Sequence, residues 1–245
     1  MVWPPGVRGI LVTEGVRGEG GILRNSLGER FMFKYLPEAT RNEYAADEAE
    51  AVTWVNAALA GTRTEARRPP ELSTRDNVAR AIYTEVKEGR GSPHGGVFLD
   101  ISYQDSERVK KKLPSMYHQF KDLADVDITA GPMEVGPTMH YTMGGIRVDA
   151  ETQMSRVPGL FAAGECSGGM HGANRLGGNS LSDLVVFGKR AGAGAVEYVK
   201  GLTSEPKIDD KFVKEAMAEM EAPFLLKDGK NPYDVHKELN KIMST

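Results

Sequence analysis

Seven of the chain's 28 glycines fall in one stretch, GECSGGMHGANRLGGNSLSDLVVFG (164–188). A segment so bare of side chains cannot supply a core and reads as a tight connection between regular elements. The run before it, VPGLFAAGE (157–165), predicts a short buried strand. The residues after it, Ser182 to Val199, predict a helix with Leu184, Val185, Ala191 and Ala195 packed inward. The helix opens near Ser180, so unobstructed backbone amides would face an anionic or electron-rich group. Glu165 at the strand end is suited to accept hydrogen bonds from sugar hydroxyls. Arg175, between small residues, can meet a carboxylate through two parallel hydrogen bonds. A glycine-rich connection with a surface arginine explains the same residues one at a time.

Upstream, the pattern alternates between short extended runs and helices. Gly9–Thr13 and Ile22–Leu23 predict strands, Asn25–Glu29 a turn, and FMFKYL a buried strand or helix. Glu43–Leu59 predicts an acidic helix with Tyr44, Val52, Val55 and Leu59 on one face and Gly61 as its stop. ARRPPEL breaks that helix, because Pro69 pushes Arg68 out of helical geometry. A helix from Ser73 or Thr74 to Gly89 carries Val78, Ile82 and Val86 at four-residue spacing. GGVFLDI predicts a strand, and Ser106–Ala124 a helical stretch restarted at Pro114. Residues 131–149 look extended and broken at Gly144–Gly145. Beyond Gly201 the chain is polar and lysine-rich with helical periodicity.

Composition narrows the functional classes. The 245 residues carry 31 Lys+Arg against 34 Asp+Glu, a net charge of −3, which argues against a general nucleic-acid binder. The single cysteine, Cys166, excludes a disulfide framework or cysteine-rich metal site. The five histidines, 94, 118, 140, 171 and 236, show no metal-ligand spacing. No apolar run approaches the ~18 residues of a membrane span. These features predict a soluble protein of a reducing compartment, without metal, nucleic acid or direct membrane insertion.

Other residues invite chemistry and admit plainer readings. Arg75 falls in the first turn of its helix, where the macrodipole disfavours a cation, and local rules tend to break at functional sites; a solvent-exposed arginine balanced by Asp76 fits as well. Thr13-Glu14-Gly15-Val16-Arg17-Gly18 sets a hydroxyl, a carboxylate and a guanidinium side by side, as a salt-bridged turn also does. His140, in PTMHYTMGG, fits a satisfied core histidine as readily as a ligand. Spacing alone supports an anion-binding α/β protein.

Taken together, ILVTEGVRGEGG (10–21), GERFMFKYLP (28–37), TRDNVARAIYTEVKEGRG (74–91), PTMHYTMGG (137–145) and VPGLFAAGECSGGMHGANRLGGNSLSDLVVFG (157–188) resemble the flavoprotein subunit of succinate dehydrogenase and fumarate reductase. L-aspartate oxidase shares HGANRL but usually continues ASNSLLE, where this chain has GGNSLSD. The resemblance implies an α+β chain: a capping domain over residues 1–130, the returning part of an FAD-binding α/β domain over 131–200, and the start of a helical domain over 201–245, truncated at both ends. It lacks the family's N-terminal dinucleotide motif, since no Rossmann helix follows GVRGEGG.

By the same resemblance Thr13, His140 and Arg175 hold the carboxylates of succinate or fumarate. Arg75 is the proton shuttle, fed by Glu14 and Arg17, and Glu165, Ser180 and Leu181 bind FAD. A dry site, adjacent cations and a helix N-terminus would favour neutral Arg75, as a shuttle needs. FAD belongs to the complete subunit and is not expected on this chain alone; the alternative readings are an inactive cap scaffold or a related FAD enzyme such as L-aspartate oxidase. The expected partners are an iron–sulfur subunit and, through it, a membrane anchor, placing the protein on the cytoplasmic face of a bacterial inner membrane.

Overall fold

A computed structural model describes residues 1–243. The chain divides into two compact units, the first Met1–Thr142 and the second starting at Met143.

In the first unit the order is α1 (Gly15–Gly18), β1 (Ile22–Arg24), α2 (Glu48–Ala60), α3 (Arg75–Lys87), β2 (Val97–Asp100), α4 (Ser106–Lys112), α5 (Pro114–Ala124) and β3 (Met133–Val135), with 3-10 turns at Phe31–Tyr35, Glu38–Glu43 and Pro70–Leu72 between them. The strands form one antiparallel sheet in the order β1-β2-β3. Its register sets Leu23 opposite Leu99 and Leu99 opposite Met133, with Val97 opposite Val135. All five side chains are buried, because residues facing each other across a ladder share one side of the sheet. They join Phe31, Met32, Val78, Ala81, Ile82 and Phe120 in a single core. Burying each large side chain of this set contributes about 1.5–3 kcal/mol before entropy is counted.

The helix signals act where elementary chemistry puts them. Asp47 caps α2 by accepting the Glu50 amide at 2.8 Å, Glu50 reaches back to the Ala46 amide at 2.7 Å, and Gly61 ends the helix at φ 69°. Pro114 is the first residue of α5, where its missing N–H costs nothing. Two expectations are corrected here. Gly9–Thr13 joins no ladder: its neighbourhood is tied instead to the N-terminus, the Met1 amine donating to the Ile10 carbonyl and the Gly9 amide to the Met1 carbonyl. Helix α2 starts at Glu48, not Glu43, since Glu38–Glu43 forms its own 3-10 turn, and the side chain buried beside Val55 is Ala51 while Val52 is exposed.

The second unit has little sheet. Isolated bridges join Ile146 to Ser167, Val148 to Ser155 and Met154 to Phe161. A 3-10 turn at Gly164–Cys166 then leads through the glycine stretch to α6 (Asn179–Lys200), α7 (Asp210–Glu221) and α8 (Pro232–Met243). The expected strand over 157–165 is absent as a strand: Val157 and Leu160 are exposed, Phe161 makes one bridge, and the backbone turns at Gly164. Leu184 and Val185 are also exposed, because the apolar face of α6 meets mainly that 3-10 turn within this unit. Among the described residues no helix is long and apolar enough to cross a membrane.

Candidate active site

A cleft of about 400 Å³ opens in the first unit, within the size range of small-ligand sites. Its apolar lining is continuous with the core through Leu23, Val78, Ile82 and Leu99. Its polar lining comprises Thr13, Glu14, Arg17, Arg75, Thr138 and His140. All five residues that the sequence assigned to proton handling and substrate in this unit therefore line one cavity, although they come from three separate segments.

The segment before β1 makes one side. Thr13 Oγ1 accepts the Gly15 amide at 3.2 Å and Gly18 donates to the Glu14 carbonyl at 3.1 Å, closing the single turn α1. The last two glycines of GVRGEGG are required by packing. Gly20 has φ 99°, and a Cβ there would stand 2.6 Å from the Gln104 amide nitrogen and 2.8 Å from Val55. A Cβ on Gly21 would stand 2.8 Å from the Val16 carbonyl. Tyr103 and Gln104 donate to the Gly20 and Glu19 carbonyls, both at 2.6 Å. The turn is thereby fixed from behind while Glu14 and Arg17 face the cleft.

Arg75 opens α3, and its Nε donates to Glu14 Oε2 at 2.5 Å. Arg17 Nη2 lies 3.6 Å from the same carboxylate oxygen, and its Nη1 donates to the Glu71 carbonyl at 2.5 Å. The two guanidiniums thus share one carboxylate. Their electrostatics differ from the sequence expectation. The hydrogen bond that Arg75 donates to Glu14 outweighs partial burial and raises Arg75 above the ordinary arginine value, which favours its charged form. Arg17, 13% exposed, moves the other way: burial lowers it, Glu14 opposes, and Arg75 adds to the lowering. The expectation of a dry, neutral Arg75 is corrected on both counts: the side chain is 33% exposed, and its bond to Glu14 favours the charged form.

The remaining candidates belong to the second unit. Arg175 is buried and its Nη1 donates to the Leu176 carbonyl at 3.2 Å. Glu165 is exposed in the 3-10 turn, and Ser180 and Leu181 fall in the first turn of α6. Sequence reasoning passed over His171, whose Nε2 lies 3.3 Å from Asp183 Oδ2, tying the glycine loop to α6. The twelve-residue separation hid that pair. Cys166 is exposed and unbridged, and no cluster suited to a metal ion occurs among the described residues.

A flavin cofactor can be tested against this second unit. Gly164 has φ 80° and would carry a Cβ 2.6 Å from Leu184, so the chain before the loop passes against α6 with no room for a side chain. The cap of α6 is Gly178, with φ 81° and no side-chain cap bond. No acidic residue stands in the first turn. Asn179 donates to the Leu176 carbonyl at 3.2 Å and Leu181 to the Gly178 carbonyl at 3.1 Å, and a helix start without an acidic side chain suits an electron-rich group.

The family model described as FAD binding domain matches residues 2–181, and the chain belongs to that family. Relatives narrow the class. A fumarate reductase (CoM/CoB) subunit of Methanothermobacter marburgensis is 44% identical over 244 residues, covering 99% of this chain and 38% of that protein. The 8-methylmenaquinol:fumarate reductase flavoprotein subunit of Wolinella succinogenes is 40% identical over 84% of this chain and 30% of its own. Among solved structures, Mycobacterium smegmatis Sdh1 in complex with UQ1 is 54% identical, with TM-score 0.68 over 99% of this chain and 35% of that one. The chain is a member of the succinate dehydrogenase and fumarate reductase flavoprotein family, and it spans about a third of the length of these relatives.

Proposed function

We propose that this chain carries the capping domain and the proton-handling side of a flavoprotein that interconverts succinate and fumarate, together with part of its FAD site. The carrying observation is the pairing of Arg17 and Arg75 on Glu14 at the mouth of a cleft that Thr13 and His140 also line. When bound, FAD supplies the two-electron chemistry that accepts or delivers a hydride at one substrate carbon. Glu165 and the α6 residues Ser180 and Leu181 are the groups that would hold it.

The remaining work belongs to side chains. Thr13 and His140 bind and orient the carboxylates of a four-carbon dianion. Arg75 gives its proton to the neighbouring carbon in fumarate reduction and takes it back in succinate oxidation. Held charged by Glu14, it stands ready as the acid. Glu14 and Arg17 then restore the proton, Arg17 being the guanidinium whose burial makes proton loss easier. The partners this reading implies are a membrane anchor and an iron–sulfur subunit, at the cytoplasmic face of an inner membrane.

The direct test is Arg75→Lys in the complete subunit, with succinate oxidation assayed by an artificial electron acceptor. General acid–base catalysis is worth about 10²–10⁴-fold, so turnover should fall by at least about 100-fold with flavin still bound. Near-wild-type turnover would remove Arg75 from this role.

A further inference from the structure

We infer that the buried ion pair between Arg30 and Glu71 is a positioning device for the proton-handling residues of the cleft, an inference that rests on the dicarboxylate reading above. The two side chains are 2% and 1% exposed. They meet in two parallel bonds, Nε to Oε1 at 2.7 Å and Nη2 to Oε2 at 2.8 Å. Neither residue lines the cleft.

Such a pair is a poor source of stability. Removing two ions from water offsets most of their attraction, and apolar residues of similar volume often serve the fold as well or better. Its value lies in what it fixes. The Glu71 carboxylate also accepts the Leu23 amide of β1 at 3.4 Å, while its main-chain carbonyl accepts Arg17 Nη1. Glu71 sits in the 3-10 turn Pro70–Leu72, which leads through Ser73 and Thr74 into Arg75. One clamped residue therefore sets both the placement of Arg17 and the start of the helix that presents Arg75.

The charged groups acting on Arg17 are Glu14, Arg75 and Glu71, and those acting on Arg30 are Glu71 and Glu48, with the titratable Tyr103 phenol nearby. Glu71 reaches Arg17 through a carbonyl, which carries no exchangeable proton. The pair therefore transmits geometry and not protons. Arg30 and Glu71 are positioning residues that act through Arg17.

The test is the double variant Arg30→Met with Glu71→Leu in the complete flavoprotein subunit, which swaps the ions for apolar side chains. Tm and flavin absorbance should stay at wild-type values. The kcat for succinate oxidation should fall about 10–100-fold, the size of effect that a misplacement of about 1 Å produces. KM should stay within about twofold, since the groups that hold the carboxylates are untouched. A crystal structure should show Arg17 off the Glu71 carbonyl. A folded double variant with wild-type kcat overturns the inference, as does one whose only loss is in the amount of folded protein. Should the double variant fail to fold, Glu71→Gln carries the same test: reduced kcat at constant KM supports the pair's role, and wild-type kcat overturns it. If the wild-type subunit turns over neither succinate nor fumarate, the dicarboxylate reading fails on its own account. The variant's structure then decides the positioning: Arg17 displaced supports it, and Arg17 unmoved overturns it.

Discussion

Glu14 joins two arginines whose partnership no local spacing reveals, since Arg75 lies 61 residues away along the chain. Replacing it with glutamine would leave both guanidiniums in place and remove the only carboxylate among the cleft-lining residues. In the complete subunit Glu14→Gln should lower kcat by about 100-fold, the contribution typical of a lost proton-transfer group. KM for succinate should stay level or fall, because the cleft becomes more positive by one charge; steady-state kinetics would read both effects. A raised KM at unchanged kcat would instead make Glu14 a binding group. At this scale the residue types were legible: a cation in the first turn of a helix is conspicuous because the macrodipole opposes it. The direction of its titration was not legible, because it depends on a carboxylate that only folding brings within 2.5 Å.

The elements were legible where capping and turn chemistry dominate. Gly61, Pro114 and the four-residue spacing of α3 act at their own positions, whatever the rest of the chain does. Gly9–Thr13 and 157–165 misled because an extended apolar run becomes a strand only if a neighbour offers a ladder, and here the backbone bonds go to turns. Also hidden was the network that ties α3 to Asn25, to the 3-10 turn ending at Tyr35 and to Arg90. The fully buried Glu85 accepts from Asn25 at 2.8 Å, from the Tyr35 hydroxyl at 2.6 Å and from both sides of the Arg90 guanidinium. Burial alone would push its carboxyl up, but the bonds from Arg90, Tyr35 and Asn25 prevail and hold it at about 2, below the ordinary 4.5. A folded-state value below the unfolded one means stability that is complete above about pH 4.5 and lost as pH falls toward 2. Both tryptophans, Trp3 and Trp54, lie in the first unit, so urea unfolding followed by their fluorescence reports that unit alone. Glu85→Gln should cost about 2–4 kcal/mol at pH 7, as expected when one partner of a buried charged network is removed. It should also flatten the loss of stability between pH 4.5 and 2. An unchanged acid limb would show that other carboxylates govern it.

For the whole molecule, the two units differ in how much apolar surface they hide. The first encloses a continuous core, whereas Leu184, Val185, Phe212, Met217, Phe224 and Leu239 of the second are more than half exposed. Apolar surface of that extent marks a docking face or an aggregation liability. The purified chain should therefore bind a hydrophobic dye such as ANS, and a chain ending at residue 142 should bind far less; equal dye binding would locate the sticky surface in the first unit. The purified 245-residue chain should show no flavin absorbance, since it has Glu165 and the start of α6 but no dinucleotide motif to grip a pyrophosphate. A yellow preparation would show that the chain retains the cofactor without that motif. The run Arg30, Glu71, Arg17, Glu14, Arg75 alternates in sign and carries a surplus of one positive charge. An arriving dianion inverts that surplus into a deficit of one, and the field it creates favours proton uptake at the moment of capture. Calorimetric titration of the complete subunit in buffers of different ionisation heat should thus give buffer-dependent binding enthalpies, the ligand bringing part of its own catalytic hydrogen in from the solvent.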